Sequence, residues 1–221
     1  MAALVPGAAE LAPGLQRWVA FHPEWKQDVA CVALDAGHSL VLIDPLAPPA
    51  VAAVRAFWRA LDRAVRAGTR GRAVDVLLTL HYHERSAAQV VDRYRGSPGA
   101  TLWAPAGSVR RMTSTPDRTF EPGDPLPGGI ESLATGREDE VVFWLPAQRA
   151  VVSGDVLLGG VRKPLRVCPA SWLPRGTTRT AVAAALAPLR ELPVELVVPL
   201  HGNPITENAA AVLAAALDEP S

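Results

Sequence analysis

Residues 79–86 read Thr79-Leu80-His81-Tyr82-His83-Glu84-Arg85-Ser86, and the first two of them close the nearly all-apolar run of residues 73–80, which begins Ala73-Val74-Asp75-Val76-Leu77-Leu78. A nearly continuous apolar run of that length is what a strand covered on both faces requires. Two histidines at i and i+2 in extended chain project to the same side, so His81 and His83 are expected to reach one metal ion. Glu84, Arg85 and Ser86 follow them.

Upstream, residues 16–21, 28–34 and 39–44 are short apolar or alternating runs, read as strands. The turn chemistry of His22-Pro23-Glu24 and Asp35-Ala36-Gly37-His38 separates them. A helix is expected over residues 50–67, with Val51, Val54, Phe57, Trp58, Leu61 and Val65 as one stripe and arginines opposite. Gly68 and Gly71 end it. Downstream, residues 86–94 read as a helix with Ser86 as N-cap, and 101–104 as a short strand. Residues 109–129, with four prolines, read as a loop bordering a site.

Residues 140–145 and 150–153 form an expected hairpin around Pro146, ending at Gly154-Asp155. A helix over 177–192 is expected to break near Pro188. Residues 194–200 read as a strand ending at His201-Gly202, and 206–217 as a last helix. Strands in two groups, each followed by helices, fit two sheets packed face to face between helices.

Bulk properties narrow the function. The 221 residues suit one domain, here taken as 1–221, with a substantial core. Twenty-two basic and 22 acidic side chains cancel. That balance lacks the electrostatic signature of nucleic-acid or anionic-membrane binding. The arginines of residues 55–72 read as a solvated helix face. No apolar run approaches the roughly 20 residues needed to cross a bilayer. Met1–Pro6 lacks a basic segment and apolar core, so no secretory leader is expected. With only Cys31 and Cys168, a reduced, cytoplasmic chain is the simpler reading, with one disulfide between them left open.

Three strand ends occur in order: Thr79-Leu80-His81-Tyr82-His83, Ser153-Gly154-Asp155-Val156-Leu157 and Val197-Val198-Pro199-Leu200-His201-Gly202-Asn203-Pro204. With Leu40-Val41-Leu42-Ile43-Asp44 before them, the chain resembles the metallo-β-lactamase-fold superfamily from about residue 16 to 217. The resemblance implies an α/β (α+β) architecture, an αββα four-layer sandwich with a site at one edge of both sheets. In active members seven residues commonly hold two metals. His81 and His83 match the first two, Asp155 the metal-bridging aspartate and His201 the final histidine. Arg85 and Ser86 stand at two further ligand positions, and Arg137, in Thr135-Gly136-Arg137-Glu138, at the remaining histidine.

The charges then decide what the site can hold. A unit pair about 4 Å apart at an effective dielectric of about 20 is worth roughly 4 kcal/mol, and a dication beside an arginine doubles that as repulsion. Arg85 and Arg137 must turn away from a metal or replace one by neutralising Asp155. The expected site is therefore degenerate. It holds either one Zn or Fe ion on His81, His83 and Asp155, with His201 or water completing the set, or no metal.

The functions implied are a protein of low or lost hydrolase activity, a single-metal hydrolase of a small ester, thioester, lactone or amide, or a small-anion-binding protein. A mononuclear iron oxygenase of sulfur compounds is a further reading. The expected ligand is a small molecule, anionic if Arg85, Ser86 and Arg137 bind it. Asp44 is read as a turn carboxylate or one behind the ligands. His22, His38, Glu84, Glu138 and Asp139 read as exposed, and the six tryptophans mostly as core.

Overall fold

The computed structural model describes residues 7–67, 71–159 and 164–218. The expectations for Met1–Pro6 and Gly68 lie outside the described residues. The elements in chain order are β1 (Ala9–Ala12), β2 (Leu15–His22), β3 (Gln27–Asp35), β4 (Ser39–Ile43), α1 (Val51–Val65), β5 (Ala73–Leu77), α2 (Ala87–Tyr94), β6 (Ala100–Pro105) and β7 (Arg118–Phe120). There follow β8 (Glu131–Ala134), β9 (Val141–Leu145), β10 (Ala150–Ser153), β11 (Leu157–Leu158), β12 (Arg166–Val167), α3 (Arg179–Ala185), β13 (Leu196–Pro199) and α4 (Ala209–Asp218).

β1 to β7 lie in sequential order in one sheet, antiparallel as far as β4 and parallel from β4 to β7. A second sheet has the order β13-β10-β9-β8, with β13 and β10 parallel. The period-two alternation of each strand divides its side chains between two layers. In β3, Ala30, Val32 and Leu34 face the second sheet, while Val29, Cys31 and Ala33 face helices. In β9, Val141, Phe143 and Leu145 meet the first sheet, and Val142 and Trp144 the opposite helices.

Three apolar layers result. α1 and α2 cover the first sheet through Phe57, Leu61, Val90 and Val91. The two sheets pack on one another, and α3 and α4 cover the second through Val182 and Leu213. This is the expected αββα sandwich. Among the described residues no helix is long and apolar enough to cross a membrane.

Local chemistry shifts several boundaries. α1 buries Phe57, Ala60, Leu61 and Val65, but Val51, expected on that stripe, is 66% exposed. Ser86 stands at the N-cap of α2 without capping through its side chain, and instead accepts a hydrogen bond from Ala47 N at 3.0 Å. The helix before Pro188 is α3, followed by a 3₁₀ turn over Ala187–Glu191, because proline removes an N–H that an α-helix needs. Cys31 and Cys168 are both free and buried.

Two cross-links join the sheets at one end. Ala30 N donates to Leu200 O at 2.8 Å, and Val141 N to Thr79 O at 3.0 Å. They draw the ends of β4, β5, β10 and β13 together, and those ends carry Asp44, the His81–His83 segment, Asp155 and His201.

Candidate metal centre

Asp44 is fully buried at the end of β4. Its Oδ1 accepts from Thr79 N at 2.9 Å, and its Oδ2 accepts from the Thr79 hydroxyl and from His83 Nδ1 at 2.6 Å. A carboxylate only accepts, so Nδ1 of His83 carries a proton, and in the neutral ring Nε2 presents a lone pair. That Nε2 lies 3.3 Å from Asp155 Oδ1, and His201 Nε2 lies 3.1 Å from the same oxygen. His83, Asp155 and His201 each bring one ligand atom into a group whose members lie within 4.8 Å of one another.

Glycines make this convergence possible. A Cβ on Gly154 would stand 2.6 Å from Thr79 Oγ1, so the turn carrying Asp155 can approach the Thr79 strand end only without a side chain. Gly202 has φ +107°, and a Cβ there would meet Gly159 O at 2.0 Å. That close approach orients the His201 turn, whose backbone oxygen accepts from Gly159 N at 2.9 Å.

His81 does not join the group. Residues His81–His83 form a 3₁₀ turn, with His83 N donating to Leu80 O at 3.1 Å, rather than the expected extended chain. In such a turn i and i+2 differ by about two-thirds of a revolution, so the imidazoles diverge. His81 Nδ1 instead lies 3.4 Å from Asp139 Oδ2.

Of the two placements expected for the arginines, the structure shows both turned to partners other than Asp155. Arg85, at φ +41°, turns its Nη1 to Ala30 O at 2.8 Å and Asp44 O at 3.0 Å. Its guanidinium lies 5.8 Å from the Trp25 ring centre and makes no ion pair with Asp155 among the described contacts. Arg137 is buried between two carboxylates: Nε and Nη2 donate to Asp139 at 3.1 and 3.3 Å, and Nη1 pairs with Glu140 Oε2 at 3.0 Å. Asp139, expected in solvent, is 3% exposed and also accepts from Arg111 Nη1 at 2.7 Å. The backbone N–H groups of Asp155 and Val156 donate to Glu140 Oε1 at 2.6 and 2.8 Å, so this carboxylate underpins the Gly154-Asp155 turn.

Electrostatics follow the geometry. Burial opposes ionisation of Asp155, but His201 and His83 outweigh it and hold the carboxyl well below its usual range. Burial and the Arg85 guanidinium oppose protonation of His83, whereas Asp44 and Asp155 favour it and leave its pKa raised. Burial lowers the pKa of His81, with Asp139 opposing. Glu140 is pushed up by burial, to about 8, against the pull of Arg137.

The three-residue group fits one metal ion. Buried atoms His83 Nε2 and Asp155 Oδ1 face each other without a well-formed hydrogen bond, although such atoms are normally paired. Two imidazoles and a carboxylate suit Zn or Fe(II). The Asp44–His83 contact supplies the outer hydrogen bond that metal-ligating histidines usually have. No second group of three potential ligands occurs among the described residues.

A cavity of about 310 Å³ opens over Asp155 and His201, walled by Trp25, Tyr82 and Trp172. These rings were not legible as site residues, because isolated aromatics most often signal core. His22 was expected in solvent. It is 8% exposed, stacked on Trp25 with ring centres 4.0 Å apart, and its Nδ1 accepts from Trp25 N.

No family model matches the chain, and no curated protein does. Solved structures do resemble it. The DIM-1 metallo-β-lactamase aligns with TM-score 0.69 and 12% identity over 97% of both chains. A β-lactamase domain protein from Burkholderia ambifaria gives 0.67 and 17%, covering 94% of this chain and 75% of that one. The metallo-β-lactamase from Pontibacter korlensis gives 0.67 and 14%, over 96% and 98%. With identities this low the likeness concerns architecture alone: this chain has the metallo-β-lactamase fold.

Proposed function

We propose that the protein is a hydrolase of small acyl compounds whose metal site is reduced to a single ion on His83, Asp155 and His201. The observation that carries this reading is the convergence of those three ligand atoms beneath an open cavity that Asp155 and His201 line, with Asp44 holding the Nδ1 of the buried His83. When bound, a Zn or Fe ion supplies Lewis acidity toward a carbonyl oxygen and toward water.

The chain's own residues do the rest. Asp44 and Thr79 hold His83 in orientation, and Glu140 holds the turn that presents Asp155. Trp25, Tyr82 and Trp172 limit the water around the site and give the substrate an apolar wall. Arg137 is engaged on all three guanidinium nitrogens, which weighs against its role as a free anion-binding fork, whereas Arg85 is held to the backbone through Nη1 alone.

A second reading is metal-free. Asp155 lies beside two imidazoles, and protonation of one would compensate its charge, as the raised pKa of His83 permits. The two readings separate on metal content after metal-supplemented expression and dialysis. The single-ion reading predicts about one equivalent of zinc or iron, lost in His83→Ala and His201→Ala and retained in His81→Ala. It also predicts hydrolysis of small esters, thioesters or lactones that follows metal content. Less than about a tenth of an equivalent in the unmodified protein overturns it.

A further inference from the structure

Tyr82 is 59% and Trp172 42% exposed, and both face the cavity that holds Asp155 and His201. Neither ring is placed there by chance of composition. Tyr82 sits between His81 and His83 in the 3₁₀ turn, so the geometry that buries both imidazoles turns the phenol ring outward. Trp172 closes another 3₁₀ turn, over Ala170–Trp172, and meets the His201 ring edge-on with centres 5.9 Å apart. Trp25 completes the wall, its ring centre 6.2 Å from that of His201.

The polar lining is selective in another way. Arg137 is the only cationic lysine or arginine among the described lining residues, and Asp139 and Glu140 engage all three of its guanidinium nitrogens. Gln27 and Ser171 contribute neutral polar groups. Among the described lining residues a carboxylate on a ligand would find no free guanidinium or ammonium, while a planar ring would find aromatic faces and edges to stack on. The lining is about half apolar, supplied by the aromatic rings, and about half polar, and a cavity that combines an apolar wall with a few convergent polar groups is the usual form of a small-molecule site.

We propose that the substrate class of this site is a neutral ester or amide bearing a planar aromatic group, held against Tyr82 and Trp172 with its carbonyl toward His83, Asp155 and His201. The direction of the carbonyl rests on the hydrolase reading; ring binding does not. Hydrolysis of such a compound breaks the acyl C–O or C–N bond, joins the oxygen of water to the acyl carbon and leaves a proton on the departing alcohol or amine.

Binding of three probes by titration calorimetry tests this. They are naphthylacetamide (neutral, aromatic), naphthylacetate (anionic, aromatic) and cyclohexylacetamide (neutral, saturated), each measured on protein as purified and after chelation. Naphthylacetamide should bind at least about 5-fold more tightly than either of the others. Trp172→Ala and Tyr82→Ala should each weaken it by about 3- to 10-fold, in keeping with single aromatic contacts. Trp172→Phe should retain most of the affinity, which separates ring loss from misfolding.

Equal or tighter binding of naphthylacetate overturns the inference, as does unchanged naphthylacetamide affinity in both alanine variants. The same order of affinities in chelated protein leaves it standing even if metal analysis overturns the hydrolase reading.

Discussion

Asp44→Asn is the most discriminating single change available in the site. The substitution keeps the shape of the side chain, and Oδ1 continues to accept from Thr79 N. At the other position an oxygen that accepts from His83 Nδ1 at 2.6 Å becomes an NH₂ that can only donate. His83 must then accept at Nδ1 and carry its proton on Nε2, the atom that faces Asp155. The lone pair offered to a metal disappears unless the ring pays to break the new contact. Loss of such an outer carboxylate typically weakens metal binding by about 10- to 100-fold, or about 1.4–2.7 kcal/mol. Disturbing the fully buried contacts of Asp44 should add a stability loss of about 1–3 kcal/mol. Zinc affinity by competition with a chromogenic chelator, alongside urea unfolding of the metal-free protein, reads the two effects separately. Unchanged zinc affinity in a folded Asp44→Asn protein would refute the tautomer argument.

Other consequences follow from the same structure. Gly202→Ala places a Cβ on Gly159 O in a left-handed backbone and should cost about 3 kcal/mol or more, read as a lower urea midpoint. Phe143→Ala empties a fully buried position between the sheets and should cost about 3–5 kcal/mol by the same assay. Away from the site, two hydrogen bonds from Arg93 and one from Tyr94 hold the Asp62 carboxyl below its usual pKa. Its contribution, at most about 1 kcal/mol, is present above the unfolded pKa of about 3.9 and lost as pH falls through the lower folded value. The stability gap between wild type and Asp62→Asn should therefore shrink over that acidic range.

The strand ends were legible because their constraints are local. Gly154-Asp155 and His201-Gly202 follow apolar runs; Gly202 is demanded by the backbone of Gly159 and Gly154 by the buried side chains of Thr79 and Glu140. The αββα layering was legible because strands such as β9 are apolar at every position, as covered strands must be. What escaped was short or cooperative. β1, β7, β8, β11 and β12 have two to four residues each, too few for an alternation to register.

The divergence of His81 from His83 depends on a 3₁₀ turn whose cause lies elsewhere in the chain. Ser86 N is tied to Pro45 O, and Arg85 reaches across to Ala30 and Asp44. Arg137, Asp139 and Glu140 look like ordinary surface charges one by one. Burial of all three is tolerable because Arg137 pairs with both carboxylates, Arg111 adds a second cation to Asp139, and burial shifts Glu140 toward its neutral form, a fact of packing rather than of spacing.

Anomalous diffraction from a zinc-soaked crystal, collected on both sides of the zinc edge, tests the central claim most directly. The account predicts one peak per chain, about 2.0–2.2 Å from His83 Nε2, His201 Nε2 and an Asp155 carboxylate oxygen, with none at His81. A peak ligated by His81, a second peak beside Arg85 or Arg137, or no peak at the three-residue group would contradict it.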